Sequence, residues 1–254
     1  MSPYENRLQG ENFRRVGLIA LVRQGGEAAL SDRMKKAPAN LSTRLAALRI
    51  SNVNVFMKTI GEQTYLFTFL EYQGTAVAEV ESIPSMLGGD EWFATLSEHL
   101  EAHPRAAAAG RLWLRMEFMN AIGPTLPLPA GARPLARLGL MSSLKPECEL
   151  TYRTLHQTNW PGVIDQMGRS HYRYWISFMV EFGNGLLLFT YCEYVGTDKA
   201  TDDAAMAADP VTQRWWTHTE PCLKPLVPGN GSWTPMSLLL ETDKPCRGWP
   251  ESHR

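Results

Sequence analysis

The chain has 254 residues, of which 44% are hydrophobic, 10% aromatic and 20% charged. This composition is typical of a globular protein and excludes an intrinsically disordered or fibrous one. The length is sufficient for one large domain or two small ones. With 25 Lys and Arg against 26 Asp and Glu, the formal net charge is −1. This near-neutral charge argues against binding to nucleic acid or to an anionic membrane surface.

The start of the chain and its cysteines bear on the compartment. Residues 1–15 are polar and charged where a secretory signal has an apolar core, and no long uncharged apolar run occurs. Cys148, Cys192, Cys222 and Cys246 are too widely spaced for a CxxC zinc site and too few for a disulfide scaffold. We therefore expect a cytoplasmic protein with no membrane span and no metal.

The two halves of the chain resemble each other at an offset of about 120 residues. The matching segments run from Phe56-Met57 to Glu71-Tyr72-Gln73-Gly74 and from Phe178-Met179 to Glu193-Tyr194-Val195-Gly196. Prolines between the halves disfavour helix and sheet there. We predict one copy in residues 1–122, a linker in 123–136, and a second copy with a C-terminal tail in 137–254.

Apolar periodicity and turn signals predict the same order of elements in both copies. The first copy is predicted to contain strands at 16–22, 53–60, 65–72 and 112–118, and helices at 27–36 and 89–102. The second is predicted to contain strands at 138–144, 176–182, 186–194 and 232–240, and helices at 146–157 and 210–223. Gly61-Glu62-Gln63 and Gly183-Asn184-Gly185 indicate hairpin turns within each copy.

The resulting order, βαββαβ, is that of the ferredoxin-like split βαβ unit, which has both helices on one face of an antiparallel sheet. We expect an α+β protein of two tandem ferredoxin-like units. The units are expected to form an intramolecular pseudo-dimer of the dimeric α/β-barrel type. A cavity beside a sheet is then the natural ligand site. The sequence leaves open whether the fused chain associates further.

Two motifs in the second copy suggest chemistry. Tyr152 and His156 are four residues apart, so on one helix they project from the same face. An imidazole with an ordinary pKa near 6.5 exchanges protons at neutral pH. Trp215 and Trp216 are adjacent and cannot share one helix face, and indoles offer a flat surface to the C–H face of a sugar. Either motif alone also fits a packed core.

Together these motifs resemble the L-rhamnose mutarotase family. The resemblance rests on Tyr152-x-x-x-His156-x-x-x-Trp160-Pro161, the aromatic strand around Tyr174-Trp175, and Gln213-Arg214-Trp215-Trp216, and it extends over about residues 138–240. It implies a ferredoxin-like isomerase of rhamnose and carbohydrate metabolism that normally dimerises.

The resemblance also implies roles for individual residues. His156 is expected to be the proton donor, and Tyr152, Trp175, Trp215 and Trp216 are expected to bind the sugar. Trp175 departs from the family, which has a tyrosine there, so Tyr174 or Tyr172 is the alternative source of that hydroxyl.

The first copy departs further from the family. Aligning Arg33 with Arg153 places Asp32 and Lys36 at the positions of the tyrosine and the histidine. We interpret this copy as a partner that has lost catalysis. The alternative is a changed site in which Asp32 and Lys36 are the acid–base groups.

The expected reaction interconverts pyranose anomers of L-rhamnose or a related deoxy-sugar. It moves a proton from the anomeric hydroxyl to the ring oxygen and breaks no C–H bond, so acid–base groups suffice and no cofactor or metal is expected. We expect His156 to protonate the ring oxygen and Tyr152 to orient the anomeric proton. Two alternatives stay open: an enzyme that rearranges or cyclises another small ring, and a non-catalytic sugar-binding module.

Overall fold

The computed structural model describes residues 13–74, 76–123, 125–126, 134–229 and 231–242. Within these ranges the chain forms two compact units, the first from residues 13–118 and 236–242 and the second from 119–235. The middle of the predicted linker, the C-terminal tail and Cys246 lie outside the described residues. These units differ from the copies predicted from the sequence, residues 1–122 and 137–254, and the duplication itself stays a prediction.

The structure consists of antiparallel strand pairs and short helices, as the predicted α+β class requires. In chain order the strands are β1 (Arg14–Val22), β2 (Ile50–Ile60), β3 (Gln63–Tyr72), β4 (Leu100–Glu101), β5 (Leu114–Arg115), β6 (Glu117–Ile122), β7 (Ala136–Leu144), β8 (Tyr172–Phe182), β9 (Gly185–Tyr194), β10 (Leu223–Lys224) and β11 (Thr234–Glu241). The helices are α1 (Glu27–Lys35), α2 (Leu41–Ala47), α3 (Val77–Gly89), α4 (Glu91–Thr95), α5 (Pro104–Ala107), α6 (Glu149–Gln157), α7 (Pro161–Arg169), α8 (Lys199–Ala208) and α9 (Pro210–Thr219). None of the described helices is long and apolar enough to cross a membrane.

The first unit has the strand order β4–β1–β3–β2–β11, and β5 also pairs with β1. Alternate residues of β1, such as Val16 and Leu18, pack in one hydrophobic core with Leu30 and Met34 of α1. Residues of α2, α3, α4 and β11 complete this core. The helical side of the first sheet is therefore filled by apolar side chains.

The second unit has the corresponding order β10–β7–β9–β8–β6. The described residues of its helical side form two separate hydrophobic clusters. One cluster includes Leu144 and Leu188, and the other includes Val163 and Met167 of α7. The interior of this unit is thus divided, although its strands are arranged like those of the first.

Strand register relates β1 and β3 of the first unit to β7 and β9 of the second at an offset of 122 residues. Arg14 pairs with Tyr72 in the first unit, and Ala136 pairs with Tyr194 in the second. The predicted hairpins also agree, because Gly61 and Gly183 both adopt positive φ, 58° and 59°, at the first turn position. Positive φ is readily adopted by glycine and strained for most other residues. The register of the strands therefore gives a residue-by-residue correspondence between the units.

This correspondence corrects the alignment of the first helices. At an offset of 122, Tyr152 and His156 correspond to Leu30 and Met34, which are fully buried. The side chain of Asp32 is 67% exposed and forms an ion pair with Lys35 at the surface. The alignment of Asp32 and Lys36 with the tyrosine and the histidine is therefore wrong by two residues. The alternative of an active site in the first copy with Asp32 and Lys36 as acid–base groups rested on this alignment and is therefore not supported.

The helix predicted at residues 89–102 is wrong in position. The backbone of Asp90 is extended, with φ −69° and ψ 130°, and this ends α3. Its carboxylate accepts hydrogen bonds from the N–H groups of Trp92 and Phe93 and so caps α4. A short 3₁₀ helix, Leu96–His99, follows and leads into β4. Propensity alone did not reveal a cap inside the predicted helix.

The simple βαββαβ order also omits several helices. The sequence did not predict α2, α7 or α8, and the helix predicted at 210–223 ends earlier, at Thr219, before a 3₁₀ turn and β10. Pro161 occupies the first position of α7, after the extended residue Trp160. Proline is favoured there, because the first turn of a helix does not need its missing N–H.

We expect Met34→Ala to lower the free energy of unfolding by about 2–5 kcal/mol, because it empties a filled apolar core. Asp32→Ala is the matched control on the same helix and should change stability by less than about 0.5 kcal/mol, since surface ion pairs contribute little. Urea unfolding followed by circular dichroism measures both effects. A larger loss for Asp32→Ala than for Met34→Ala would contradict the assignment of the buried face.

Candidate active site

The second unit contains a cavity of about 180 Å³. Its walls come from β6, β8, β10 and the helices α6 to α9, and residues of both hydrophobic clusters contribute to them. Pockets for drug-sized ligands span roughly 300–1,000 Å³, so this cavity suits a smaller molecule. Much of the lining is aromatic, with indoles from Trp160, Trp175, Trp215, Trp216 and Trp233.

Helix α6 presents Tyr152 and His156 to this cavity. They are the two buried residues of this helix, with 2% and 9% of their surface exposed. Their ring centroids lie 4.2 Å apart, and the ring planes are inclined by 33°. The four-residue spacing seen in the sequence therefore places a phenol and an imidazole together at the cavity wall.

The histidine ring is held by its own helix. Nδ1 of His156 lies 2.8 Å from the carbonyl oxygen of Tyr152, one turn earlier. A carbonyl oxygen only accepts hydrogen bonds, so Nδ1 of His156 is protonated and its N–H group is the hydrogen-bond donor. In the neutral ring the lone pair then lies on Nε2. This contact fixes the tautomer as well as the orientation of the ring.

Burial also sets the charge of this histidine. Desolvation lowers the pKa of His156 to about 4, and the hydrogen bond to the Tyr152 carbonyl opposes this shift only in part. The ring is therefore neutral at pH 7. Its Nε2 atom is a proton acceptor in the resting state.

The phenol of Tyr152 keeps its proton. Burial raises the pKa of Tyr152 well above its ordinary value, and the nearby Glu220 carboxylate and Cys222 thiol raise it further. Glu220 also lines the cavity, and its carboxylate accepts a hydrogen bond from Ser232. Tyr152 is thus a hydrogen-bond donor at any pH near neutrality.

The comparison with known families agrees with this geometry. Residues 137–240 match the family model for L-rhamnose mutarotase. The match covers the part of the chain in which the Tyr152, His156, Trp215 and Trp216 motifs occur, and it confirms the resemblance inferred from them. We call residues 137–240 the mutarotase-like segment. No curated protein matches the chain.

Solved structures match the fold. A protein named "Putative monooxygenase" from Fusobacterium nucleatum subsp. nucleatum is 9% identical, with a TM-score of 0.55 and coverage of 95% of this chain and 99% of its own. Another of that name, from Lactobacillus acidophilus, is 10% identical, with a TM-score of 0.49 and coverage of 90% and 96%. At 9% identity, the similarity to the Fusobacterium protein shows a shared fold over nearly the whole chain. It gives no information about the reaction.

The paired indoles of the mutarotase-like segment lie on α9, which begins at Pro210 after the capping carboxylate of Asp209. The Trp215 ring contacts the His156 ring edge-on, with centroids 5.2 Å apart. It also contacts the Trp160 ring edge-on, with centroids 5.3 Å apart. Although they are sequence neighbours, Trp215 and Trp216 both line the cavity.

The structure distinguishes the three β8 residues considered for sugar binding: Trp175, Tyr174 and Tyr172. Trp175 lines the cavity and lies 6.2 Å from the Trp233 ring, nearly perpendicular to it. Tyr174 is not among the described lining residues, because successive residues of a strand point to opposite faces. The guanidinium of Arg173 lies over the Tyr174 ring instead. The other alternative, Tyr172, donates its hydroxyl proton to Asp203 and is likewise absent from the lining.

Five of the six predicted site residues thus line one cavity, and Tyr174 does not. Their catalytic and binding roles stay predictions. The sequence analysis did not propose Trp233, Glu220, Asn120 or Asn159, which also line it. Asn159 lies between two residues of the recognised motif, whereas Asn120 precedes the predicted linker and has no signal near it. Over the described ranges, no group of three or more His, Cys, Asp or Glu side chains is placed to hold a metal.

We expect His156 to be neutral at pH 7 with its proton on Nδ1, and to titrate near pH 4. Long-range ¹H–¹⁵N spectra of histidine-labelled protein report both the tautomer and the titration midpoint. The signal missing from the His156→Gln spectrum provides the assignment. A midpoint near 6.5, the ordinary value, or a proton on Nε2 would show that the ring is solvated or turned.

Proposed function

We propose that the mutarotase-like segment carries a sugar mutarotase site, which interconverts the pyranose anomers of L-rhamnose or a related deoxy-sugar. The family match supports the reaction class. The observation that carries the proposal is the neutral His156, fixed by the Tyr152 carbonyl, at the wall of a small aromatic cavity.

The proposed reaction begins with His156 as a base. Nε2 accepts the proton of the anomeric hydroxyl while the carbonyl at C1 forms and the bond from C1 to the ring oxygen breaks. The imidazolium then gives this proton to the ring oxygen, which completes the open-chain aldehyde. Rotation of the aldehyde and the reverse steps form the other anomer. No electrons are transferred, and the proton that left the anomeric oxygen reaches the ring oxygen.

The resting state refines the sequence-based expectation for His156. A neutral imidazole with a lone pair on Nε2 must accept a proton before it can donate one. Because burial keeps its pKa low, the imidazolium is a strong acid once formed, which suits protonation of a weakly basic ring oxygen. The Tyr152 hydroxyl, which stays protonated, is proposed to donate a hydrogen bond to the anomeric oxygen.

The aromatic walls are proposed to hold the sugar ring. Trp175, Trp215 and Trp216 line the cavity together with further indoles, and indole faces pack well against sugar C–H groups. The small volume favours a monosaccharide over a longer glycan. A diverged enzyme acting on another small ring and a sugar-binding module without turnover remain the alternatives that experiment must separate.

We also infer that residues 1–122 and 137–254 arose as tandem copies. The constant strand offset of 122 residues supports this. In the first copy Leu30, Met34 and Val53 stand where the second has Tyr152, His156 and Trp175, which supports a non-catalytic role for it. The pairing of the copies as a pseudo-dimer and the cytoplasmic location stay predictions.

We expect the protein to accelerate anomer exchange of L-rhamnose, measured by NMR saturation transfer between the two anomeric protons. His156→Ala should lower kcat/KM by about 10²-fold or more, because it removes the acid–base group. His218→Ala is the matched control, since His218 is exposed and does not line the cavity. L-Fucose tests selectivity. Near-normal exchange in folded His156→Ala protein would refute the assignment, and binding without exchange in the wild type would favour the module.

The pH dependence follows from the low pKa of His156. The reaction requires the neutral imidazole, so kcat/KM should be nearly constant from pH 8 down to about pH 5. It should fall at lower pH, with an apparent pKa near 4, as the ring becomes protonated in the free enzyme. Exchange rates corrected for the buffer reaction at each pH provide the profile. A decline centred near pH 6.5 would indicate a different base or a solvated histidine.

A further inference from the structure

Asn120 and Asn159 form a reciprocal amide pair in the cavity wall. Nδ2 of Asn120 donates to Oδ1 of Asn159 at 3.1 Å, and Nδ2 of Asn159 donates to Oδ1 of Asn120 at 2.9 Å. Both residues line the cavity, and Asn120 is 1% exposed. Asn120 belongs to β6, whereas Asn159 follows α6 three residues after His156. The pair therefore joins strand β6 to the helix that carries the proposed acid–base group.

This pairing does not exhaust the amide of Asn120. A primary amide has two N–H donors and an oxygen with two acceptor positions. The reciprocal pair uses one donor and one acceptor position, so one of each is left on Asn120. A donor and an acceptor side by side match a sugar hydroxyl, which both accepts and donates a hydrogen bond.

The first unit indicates that the fold does not need this pair. Asn159 corresponds to Ala37 at the strand offset of 122, and the offset of 120 that relates Trp113 to Trp233 relates Asn120 to Leu240. Ala37 and Leu240 both belong to the filled apolar core. At these two positions the amides thus occur only in the second unit, and burying an amide costs free energy unless its groups are hydrogen-bonded.

Asn120 also lies outside the mutarotase-like segment, which begins at residue 137. The strand that carries it precedes the predicted linker, yet it completes the wall of the cavity. A site residue at this position cannot be inferred from the family match.

We propose that Asn120 is a specificity-determining residue that binds a hydroxyl group of the pyranose, and that Asn159 is a positioning residue that fixes the Asn120 amide. This inference rests on the proposed function, since it takes the ligand to be a pyranose. Asn120 then selects the substrate by its ring hydroxyls, while His156 acts at the anomeric centre.

The test is a binding cycle between protein and sugar variants. Quenching of tryptophan fluorescence gives the Kd of L-rhamnose, of L-fucose and of their 2-, 3- and 4-deoxy analogues. The proteins are the wild type, Asn120→Leu and Asn159→Ala, which introduce the residues that the first unit has at these positions. Asn120→Ala, which removes the amide without adding bulk, serves if the leucine variant does not fold.

We expect one deoxy analogue to bind about tenfold more weakly than its parent sugar to the wild type, but within about twofold of it to Asn120→Leu. With Asn159→Ala this selectivity should be reduced and not abolished. Equal losses in the wild type and the Asn120 variant for every analogue would overturn the inference, because they would indicate a structural role alone.

The same proteins separate this inference from the proposed function. Non-additive binding without anomer exchange in the wild type would refute the mutarotase proposal and support Asn120 as a sugar contact. Anomer exchange in the wild type, together with equal binding losses in the wild type and the Asn120 variant, would support the mutarotase proposal and refute Asn120 as a sugar contact. Failure of the wild type to bind either sugar or any analogue would overturn both.

Discussion

The helical side of each sheet is either packed with apolar side chains or left with a cavity, whose polar groups then need hydrogen-bond partners. In the first unit it is packed, with Leu30 and Met34 in a continuous core. The second unit has Tyr152 and His156 at the same positions, and its interior is divided around a cavity. Polar groups in such a place are costly unless they are hydrogen-bonded. The histidine contact with a helix carbonyl and the asparagine pair meet this requirement.

One of these contacts also determines the proposed chemistry. Because Nδ1–H of His156 donates a hydrogen bond to the Tyr152 carbonyl, the neutral ring has its lone pair on Nε2. Because the ring is buried, the imidazolium is destabilised and the resting ring is neutral. A weak base is thereby coupled to a strong conjugate acid. A reaction that borrows a proton from one oxygen of a molecule and returns it to another needs both properties in the same group.

The sequence predicted the parts of this structure that depend on local pattern. Apolar runs and glycine turns located the long strands, and a four-residue spacing placed Tyr152 and His156 on one face. It did not predict the cap at Asp90, where one carboxylate divides what resembles a single helix. The alignment of Asp32 with Tyr152 failed because residue similarity outweighed the buried face, which only the strand register determines. The sequence could not predict that Asn120 lines the cavity, because this depends on how strand β6 pairs with strands that are distant along the chain.

The correspondence between the units shows how one backbone plan can hold an apolar core in one unit and a cavity in the other. Replacing leucine, methionine and alanine by tyrosine, histidine and asparagine at equivalent positions leaves the strand register intact, because the sheet depends on backbone pairing and on residues elsewhere in each strand. The polar replacements weaken the packing of the second unit, as functional cavities do. The first unit keeps its packing, because apolar residues fill the corresponding positions. The two units therefore differ in what the same backbone plan encloses: an apolar core in the first and a cavity with polar groups in the second.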